Sequence, residues 1–395
     1  MKKLVLAYSG GLDTSYCAKY LSKEENFEVH AVSINTGGFS ENEIRSIGEK
    51  AIQLGATSYK SINAVGIFYN KVVKYLIFGN VLKNNTYPLS VSAERIIQAI
   101  EIANYAKKIG AGYIAHGSTG AGNDQVRFDM IFQILAPEIE IITPIRDNKL
   151  ARQTEIDYLK GEGIDLPWEK AKYSINKGLW GTSVGGVETL TSNLPLPDDA
   201  YPSQLKKSEA LDIKLTFEHG ELVAIDDQED TCVNNIEKLN DLASKYAIGR
   251  DIHVGDTIIG IKGRVGFEAS APLIIIKAHH TLEKHTLTKW QQHHKEQMGN
   301  WYGMMLHEGH YFDEVMRNIE VFLTDTQKYV SGDVYVTLYP YRFTINGISS
   351  KHDLMSSSFA SYGESNEGWT ADDAKGFIKI TANQGKIFNH VNALL

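Results

Sequence analysis

Apolar runs and amphipathic stretches alternate through the first third of this chain. KLVLAYSG, FEVHAVSIN, ATSYKSIN, AGYIAHG and IEIITPI read as strands, and DTSYCAKYLSK, ENEIRSIGEKAIQLG, IFYNKVVKYLIFG, AERIIQAIEIANYAKKIG and QVRFDMIFQILAP read as the helices between them. That order leaves few folds open, because parallel strands need a long crossover and the crossover is right-handed. The expected fold class is α/β, a doubly wound parallel sheet. Gly55 and Gly110 stand just past two helical stretches, where a left-handed residue ends a helix. Ligands of such sheets sit at the carboxyl ends of the strands. Two segments there are polar and glycine-rich, 8–15 and 116–127.

At the first, LAYSGGLDTS, an apolar strand delivers the chain to Ser9-Gly10-Gly11. Adjacent glycines turn sharply and expose backbone N–H groups, and a helix from about Leu12 aims its positive end at the same point. This is an anion cradle. Neither GxxxxGK[ST] nor GxGxxG is present. The second, AHGSTGAGNDQVRFD at 115–129, packs small residues, two amides and an Asp–Arg constellation into a strand-to-helix junction. By itself it also reads as a helix start capped by Asn123 or Asp124.

The 395 residues, 43% hydrophobic, suffice for two domains with cores of their own. A net charge of -8 argues against nucleic acid as the main partner and for small substrates. Runs such as PLIII at 272–276 are too short to span a membrane, and no signal-peptide pattern is evident, so the cytoplasm is expected. Cys17 and Cys232 form no disulfide framework and no four-ligand zinc site. His279, His280, His285, His293, His294, His307 and His310 crowd one span without HExxH, so they are expected to be solvated or at a subunit interface, and no metal site is expected.

SGGLDTS resembles the loop of the ATP pyrophosphatases, which cleave ATP between its α and β phosphates and adenylate an oxygen. The second cluster resembles the argininosuccinate synthase pattern HGxTGxGNDQVRFE, with Ser118 and Asp129 as variants. TYPLSVSAER, KYSINKGLWGTS, FLTDTQKYVSGDV and DAKGFIKI extend that resemblance along the chain. It implies activation of the ureido oxygen of citrulline by ATP with Mg2+, then displacement of AMP by the amine of aspartate. Ala7, Tyr8, Ser9, Gly10, Gly11, Leu12, Asp13, Thr14 and Ser15, with Ile34 and Gly117, are then expected at ATP. Thr119, Asn123 and Asp124 match aspartate-binding positions. Tyr87, Ser92, Asn123, Arg127, Ser174 and Ser183 match citrulline-binding positions. No side-chain nucleophile is implied; Asp13, Asp124 and Arg127 position the reactants.

By the same resemblance residues 1–165 form the ATP-binding domain and 166–368 a synthetase domain, and 369–395, helical from about Ala371, pack on a neighbour in a homotetramer. The second region reads as α+β, with strands in LDIKLTFEHGELVAI and DVYVTLYPYRFTING. Other pyrophosphate-loop ligases, which would need a basic face or suitable cysteines, and a non-catalytic nucleotide-binding regulator are the rival readings.

Several positions depart from the family pattern: Ala121, INTGG at 34–38, Gly255 and Phe267. The last two stand where the family has a Glu and a Tyr at the amino-acid end of citrulline. Two substrates remain open: free citrulline, with Asp251 or Asp256 replacing the Glu, or an N-acylated citrulline, whose succinyl carboxylate would meet His253, Lys262 or Arg264.

Overall fold

The computed structural model describes residues 2–164, 172–356 and 368–392. Five strands, β1 (Lys2–Ala7), β2 (Phe27–Asn35), β3 (Ser58–Asn63), β4 (Tyr113–Ala115) and β5 (Glu140–Ile142), form the expected sheet in the order β3-β2-β1-β4-β5. All four pairings are parallel. Side-chain alternation sends Val5, Val32 and Ile34 to one face, against Ile96, Ile97 and Ile100 of helix Glu94–Ile109, and Leu4, Leu6 and Val29 to the other, against Leu21 and Leu159. A sheet buried on both faces explains the near-continuous apolar runs. From β1 the chain winds outward through β2 and β3, then returns to β4 on the opposite side. The crevice of a doubly wound sheet opens at that reversal. Helix Glu94–Ile109 ends at Gly110, left-handed at φ 66°.

The second region is antiparallel. β6 (Ser174–Gly178) and β7 (Gly181–Gly185) join β11 (Arg250–Asp256) and β12 (Lys262–Glu268) in the order β11-β12-β7-β6. β8 (Leu211–Glu218), β9 (Glu221–Ile225) and β10 (Gln228–Glu229) join β13 (Gly332–Tyr339) and β14 (Arg342–Ser349) in the order β10-β9-β8-β13-β14. The β8–β9 turn is His219-Gly220, both at positive φ, as a two-residue hairpin loop requires. The expected boundary at 165/166 lies outside the described residues.

The glycines of INTGG have a structural explanation. Leu179 N donates to Thr36 O at 3.0 Å, and a Cβ on Gly38 would collide with the Lys177 carbonyl. These glycines let the turn between β6 and β7 lie against the end of β2, which brings the small antiparallel sheet to the crevice. Helix Ser270–Thr286 corrects one expectation. It runs through the core, and His279 on it is fully buried, bonded to Asn80 Oδ1 at 2.7 Å and Gln327 Oε1 at 2.8 Å, neither solvated nor on a surface. Two terminal helices, Ala371–Thr381 and Asn383–Asn392, leave Phe377, Ile378, Ile380, Ile387, Phe388 and Val391 exposed.

Candidate active site

The first loop folds as a cradle because its own hydroxyls brace it. Ser9 Oγ lies 3.2 Å from Thr14 Oγ1, Ser9 N donates to Thr14 Oγ1 at 3.4 Å, and Gly11 N donates to Ser9 Oγ at 3.4 Å. Gly10 sits at φ 77°, which favours glycine, whereas Gly11 is extended and its missing Cβ would meet only Ser9 Oγ at 3.4 Å. Gly11 therefore faces open space at the start of helix Leu12–Lys23. Ala7 closes β1, and the side chains of Tyr8, Leu12 and Ser15 are buried beneath the loop. Only their backbone can face a ligand, so the loop side chains left open to one are those of Ser9, Asp13 and Thr14. Lys50, missed in the sequence, donates to the Gly10 carbonyl at 2.7 Å, and burial draws its ammonium down to about 8.

Asp13 reaches back to Glu155, which is buried on helix Arg152–Gly161. Burial, then the Asp13 charge, pushes the Glu155 carboxyl up to about 8, and burial also raises Asp13.

The second loop touches the first through backbone. A Cβ on Gly117 would lie 3.2 Å from the Asp13 carbonyl carbon and 3.3 Å from Thr14 N, so glycine is what permits the approach. Beneath it, Ser118 N donates to His116 Nδ1 at 3.2 Å, which places the imidazole proton on Nε2, 2.7 Å from Asp129 Oδ1. Asp129 in turn holds Arg146 at 2.6 Å. Gln125 Nε2 donates to the carbonyls of Gly120, at 2.6 Å, and Gly122, at 3.2 Å. Thr119 is exposed on this loop, and Asn123 Oδ1 accepts from Ile258 N at 2.8 Å, tying the β11–β12 turn to the crevice. Ile34, near the end of β2, is buried.

Helix Asp124–Leu135 starts at the charge centre. Arg95 Nε donates to Asp124 Oδ2 at 3.0 Å and Arg127 Nη1 to Asp124 Oδ1 at 2.8 Å. Burial would raise the Asp124 carboxyl, but the Arg95 and Arg127 charges outweigh it and hold it at about 2. Arg127 is buried, donating also to the His307 carbonyl at 2.9 Å and lying 3.3 Å from His307 Nδ1. That bond makes Nδ1 an acceptor, and burial with the Arg127 charge pushes the His307 imidazole down to about 2. His307 is thus a neutral group of the crevice, another correction to the expected solvated histidines. Glu94, buried, accepts from Thr36 Oγ1 at 2.8 Å and Arg95 at 2.9 Å, and burial raises it to about 7.

The remaining predicted residues flank this centre. Tyr87 OH accepts from Ser90 Oγ at 3.3 Å and Val91 N at 3.4 Å, and Leu89 between them takes φ 60°, an uncommon conformation for leucine. Trp180, fully buried, anchors this turn through Nε1 to Pro88 O at 2.9 Å. Ser92 is buried in the same segment. Ser183 in β7 stands opposite Phe267 of β12, and Phe267 packs 5.3 Å from the Tyr87 ring. Ser174 opens β6, exposed, opposite Gly185.

The chain matches two family models, the arginosuccinate synthase N-terminal HUP domain over residues 3–165 and the arginosuccinate synthase C-terminal domain over residues 173–388. The chain belongs to the argininosuccinate synthase family. Argininosuccinate synthase of Dictyoglomus turgidum is 36% identical over 391 residues, 98% of this chain and 97% of that one. The synthases of Methanocaldococcus jannaschii and Xanthomonas campestris are 36% and 34% identical over 365 and 403 residues, covering 91% and 99% of both partners. Against the family's conspicuous motifs, the residues missed by sequence reasoning are Lys50, Glu94, Arg95 and Glu155. For Glu94 and Arg95 a signal existed: two charges in SAER, directly before an apolar-periodic helix, have to be paired.

Proposed function

We propose that this crevice joins citrulline to aspartate at the expense of ATP, the activity of the synthase family to which the chain belongs. The ureido oxygen attacks the α phosphorus and pyrophosphate leaves. The amine of aspartate then attacks the ureido carbon, AMP leaves with its oxygen, and the amine loses a proton, giving argininosuccinate. No covalent link to the protein is formed, so positioning and charge neutralisation carry the rate.

The observation that carries this reading is the backbone contact between Gly117 and Asp13–Thr14, with the Arg95–Asp124–Arg127 centre on the adjoining helix. It sets a phosphate cradle beside paired amino-acid sites. In this reading residues 7–15 hold the ATP phosphates by N–H groups, the positive end of helix Leu12–Lys23 and the Ser9 and Thr14 hydroxyls. Ile34 and Gly117 line the nucleotide pocket. Thr119, Asn123 and Asp124 take aspartate, Asp124 offering its remaining lone pairs to the ammonium. Arg127 takes a carboxylate of the ureido acid, with Tyr87, Ser92, Asn123, Ser174 and Ser183 around it.

Among the described residues no group of three acidic, histidine or cysteine side chains is assembled that could hold a metal ion. In this reading Mg2+ comes with ATP, held by phosphate oxygens and water, and would neutralise charge on the leaving pyrophosphate. The domain division at 165/166 and 368/369 belongs to this reading. So does a homotetramer, supported by the six apolar residues left exposed on the terminal helices. A cytoplasmic setting is supported by the free thiols Cys17 and Cys232. The test is release of pyrophosphate and AMP from ATP with a ureido acid and aspartate. AMP formation requiring both amino acids is expected, and AMP formation without either would refute the ligase.

A further inference from the structure

The peptide between Gly10 and Gly11 is the part of the first loop that is easiest to turn over. A glycine on each side leaves the torsions that flip it unhindered. Its two orientations present opposite chemistry to an anion, an N–H that donates to it or a carbonyl oxygen that repels it. Carbonyl and N–H of a trans peptide point in opposite directions, so whatever holds the Gly10 carbonyl also aims the Gly11 N–H. The loop's own hold on that N–H is weak. Gly11 N donates to Ser9 Oγ at 3.4 Å, beyond the usual length of about 2.9 Å.

A stronger hold comes from helix Glu41–Gln53. Its start is fixed by a capping box between Ser40 and Glu43. Gly48 lets it lie close on β3, since a Cβ there would stand 2.5 Å from the Tyr59 ring. Ile47 and Lys50, three residues apart on one side of the helix, then both reach Gly10. Ile47 covers its α carbon, 3.2 Å from where a Cβ would stand, and Lys50 Nζ donates to its carbonyl at 2.7 Å. The carbonyl is thereby drawn towards the helix. The Gly11 N–H is left on the side of the Ser9 and Thr14 hydroxyls, which lie 3.2 Å apart. Residues 8–15 include Asp13 and neither Lys nor Arg, so a cation for this loop has to come from another element.

We infer that Lys50 is a positioning residue for ATP: its ammonium fixes the Gly10–Gly11 peptide with the carbonyl turned to helix Glu41–Gln53 and the N–H turned to the phosphates. An ammonium bonded to the carbonyl oxygen also draws electron density from the amide, which makes the Gly11 N–H a stronger donor. Lys50 acts from behind the loop, through backbone, and does not itself touch phosphate. The inference rests on the ligase reading, in which this loop receives ATP.

The test measures the Kd of ATP with Mg2+, in the absence of amino acids, for the parent, Lys50→Met and Lys50→Arg, together with KM for ATP and for aspartate and the urea midpoints. Lys50→Met keeps most of the aliphatic stem and removes the donor. It is expected to weaken ATP binding about 10-fold, the scale of one hydrogen bond from a charged group, and to raise the KM for ATP alike with the KM for aspartate unchanged. Lys50→Gln, a second neutral variant, is expected to match it, and Lys50→Arg, which keeps a cationic donor, to restore most of the loss. A folded Lys50→Met enzyme that binds ATP as the parent does would overturn the inference. So would equal rises in KM for ATP and aspartate, which a merely structural residue gives, and a Lys50→Arg enzyme as impaired as Lys50→Met. If the parent binds ATP but no ureido acid supports aspartate-dependent AMP formation, the ligase reading fails, whereas the comparison of ATP binding still decides the role of Lys50.

Discussion

The proposed phosphate end of the crevice is made from two short continuous segments, 8–15 and 116–123, whose contribution is largely backbone. The proposed ureido-acid end draws single side chains from separated segments, Tyr87 to Arg95, Asn123 to Arg127 and Ser174 to Ser183, packed against Phe267 and His307. Backbone donors at a helix start need only glycines and a bracing hydroxyl or two, so that end is local and leaves a motif. An amino-acid pocket needs charges of chosen sign at chosen depth, and each must be paired by a residue from elsewhere in the chain. The first kind of site should break when space is filled. The second should break when a charge is removed.

The largest effect is expected at Arg127. Arg127→Leu leaves Asp124 with one partner and the His307 carbonyl and Nδ1 without their donor. Leaving the His307 acceptors without their donor costs about 1–3 kcal/mol, and this should appear in urea melts together with an about 100-fold loss of ureido-acid-dependent pyrophosphate release. A variant with normal stability and turnover would contradict the assigned centre.

Asp124→Asn should act more narrowly. The aspartate KM is expected to rise about 10-fold, the worth of one charge-assisted contact, while single-turnover pyrophosphate release from ATP and the ureido acid persists. Equal loss in both half-reactions would erase the proposed division between the two amino-acid sites.

Glu155→Gln gives the smallest effect and sharpens the phosphate end. Glu155 is raised from 4.5 to about 8 by burial and the Asp13 charge. A carboxyl raised on folding lends stability below its unfolded value and loses it as pH climbs from about 4.5 towards about 8. The Gln variant, which needs no proton, should therefore melt about 2–4 °C above the parent at pH 8 and show no such gain at pH 4.5. A gain at both values would mean that charge is not the cause.

The parallel sheet was legible because its central strands β1, β2 and β4 are largely buried, which writes period and hydrophobicity into the sequence together. SGGLDTS and Gly117 were legible for the local reason already given. Lys50 and Glu155 were not, since each sits on an ordinary amphipathic helix and gains its role only when that helix docks beside the loop. The histidines misled for the same reason. His279 lies in a helix between Lys277 and His280, yet the helix is enclosed by other elements, and His307 gains its meaning from Arg127, 180 residues away in sequence. Gly255 was noticed as an absence, but the His253 ring that fills the space of its missing side chain could not be found without the fold.

The claim that the phosphate end is a backbone cradle is tested most directly at Gly11, where a new side chain would enter open space and not the core. Single-turnover release of pyrophosphate from ATP and the ureido acid should be compared for the parent and Gly11→Val, alongside their urea midpoints. An about 100-fold or greater loss with an unchanged midpoint is predicted, since the added side chain blocks the approach of phosphate to the N–H groups. Full pyrophosphate release by a folded Gly11→Val enzyme would contradict the account.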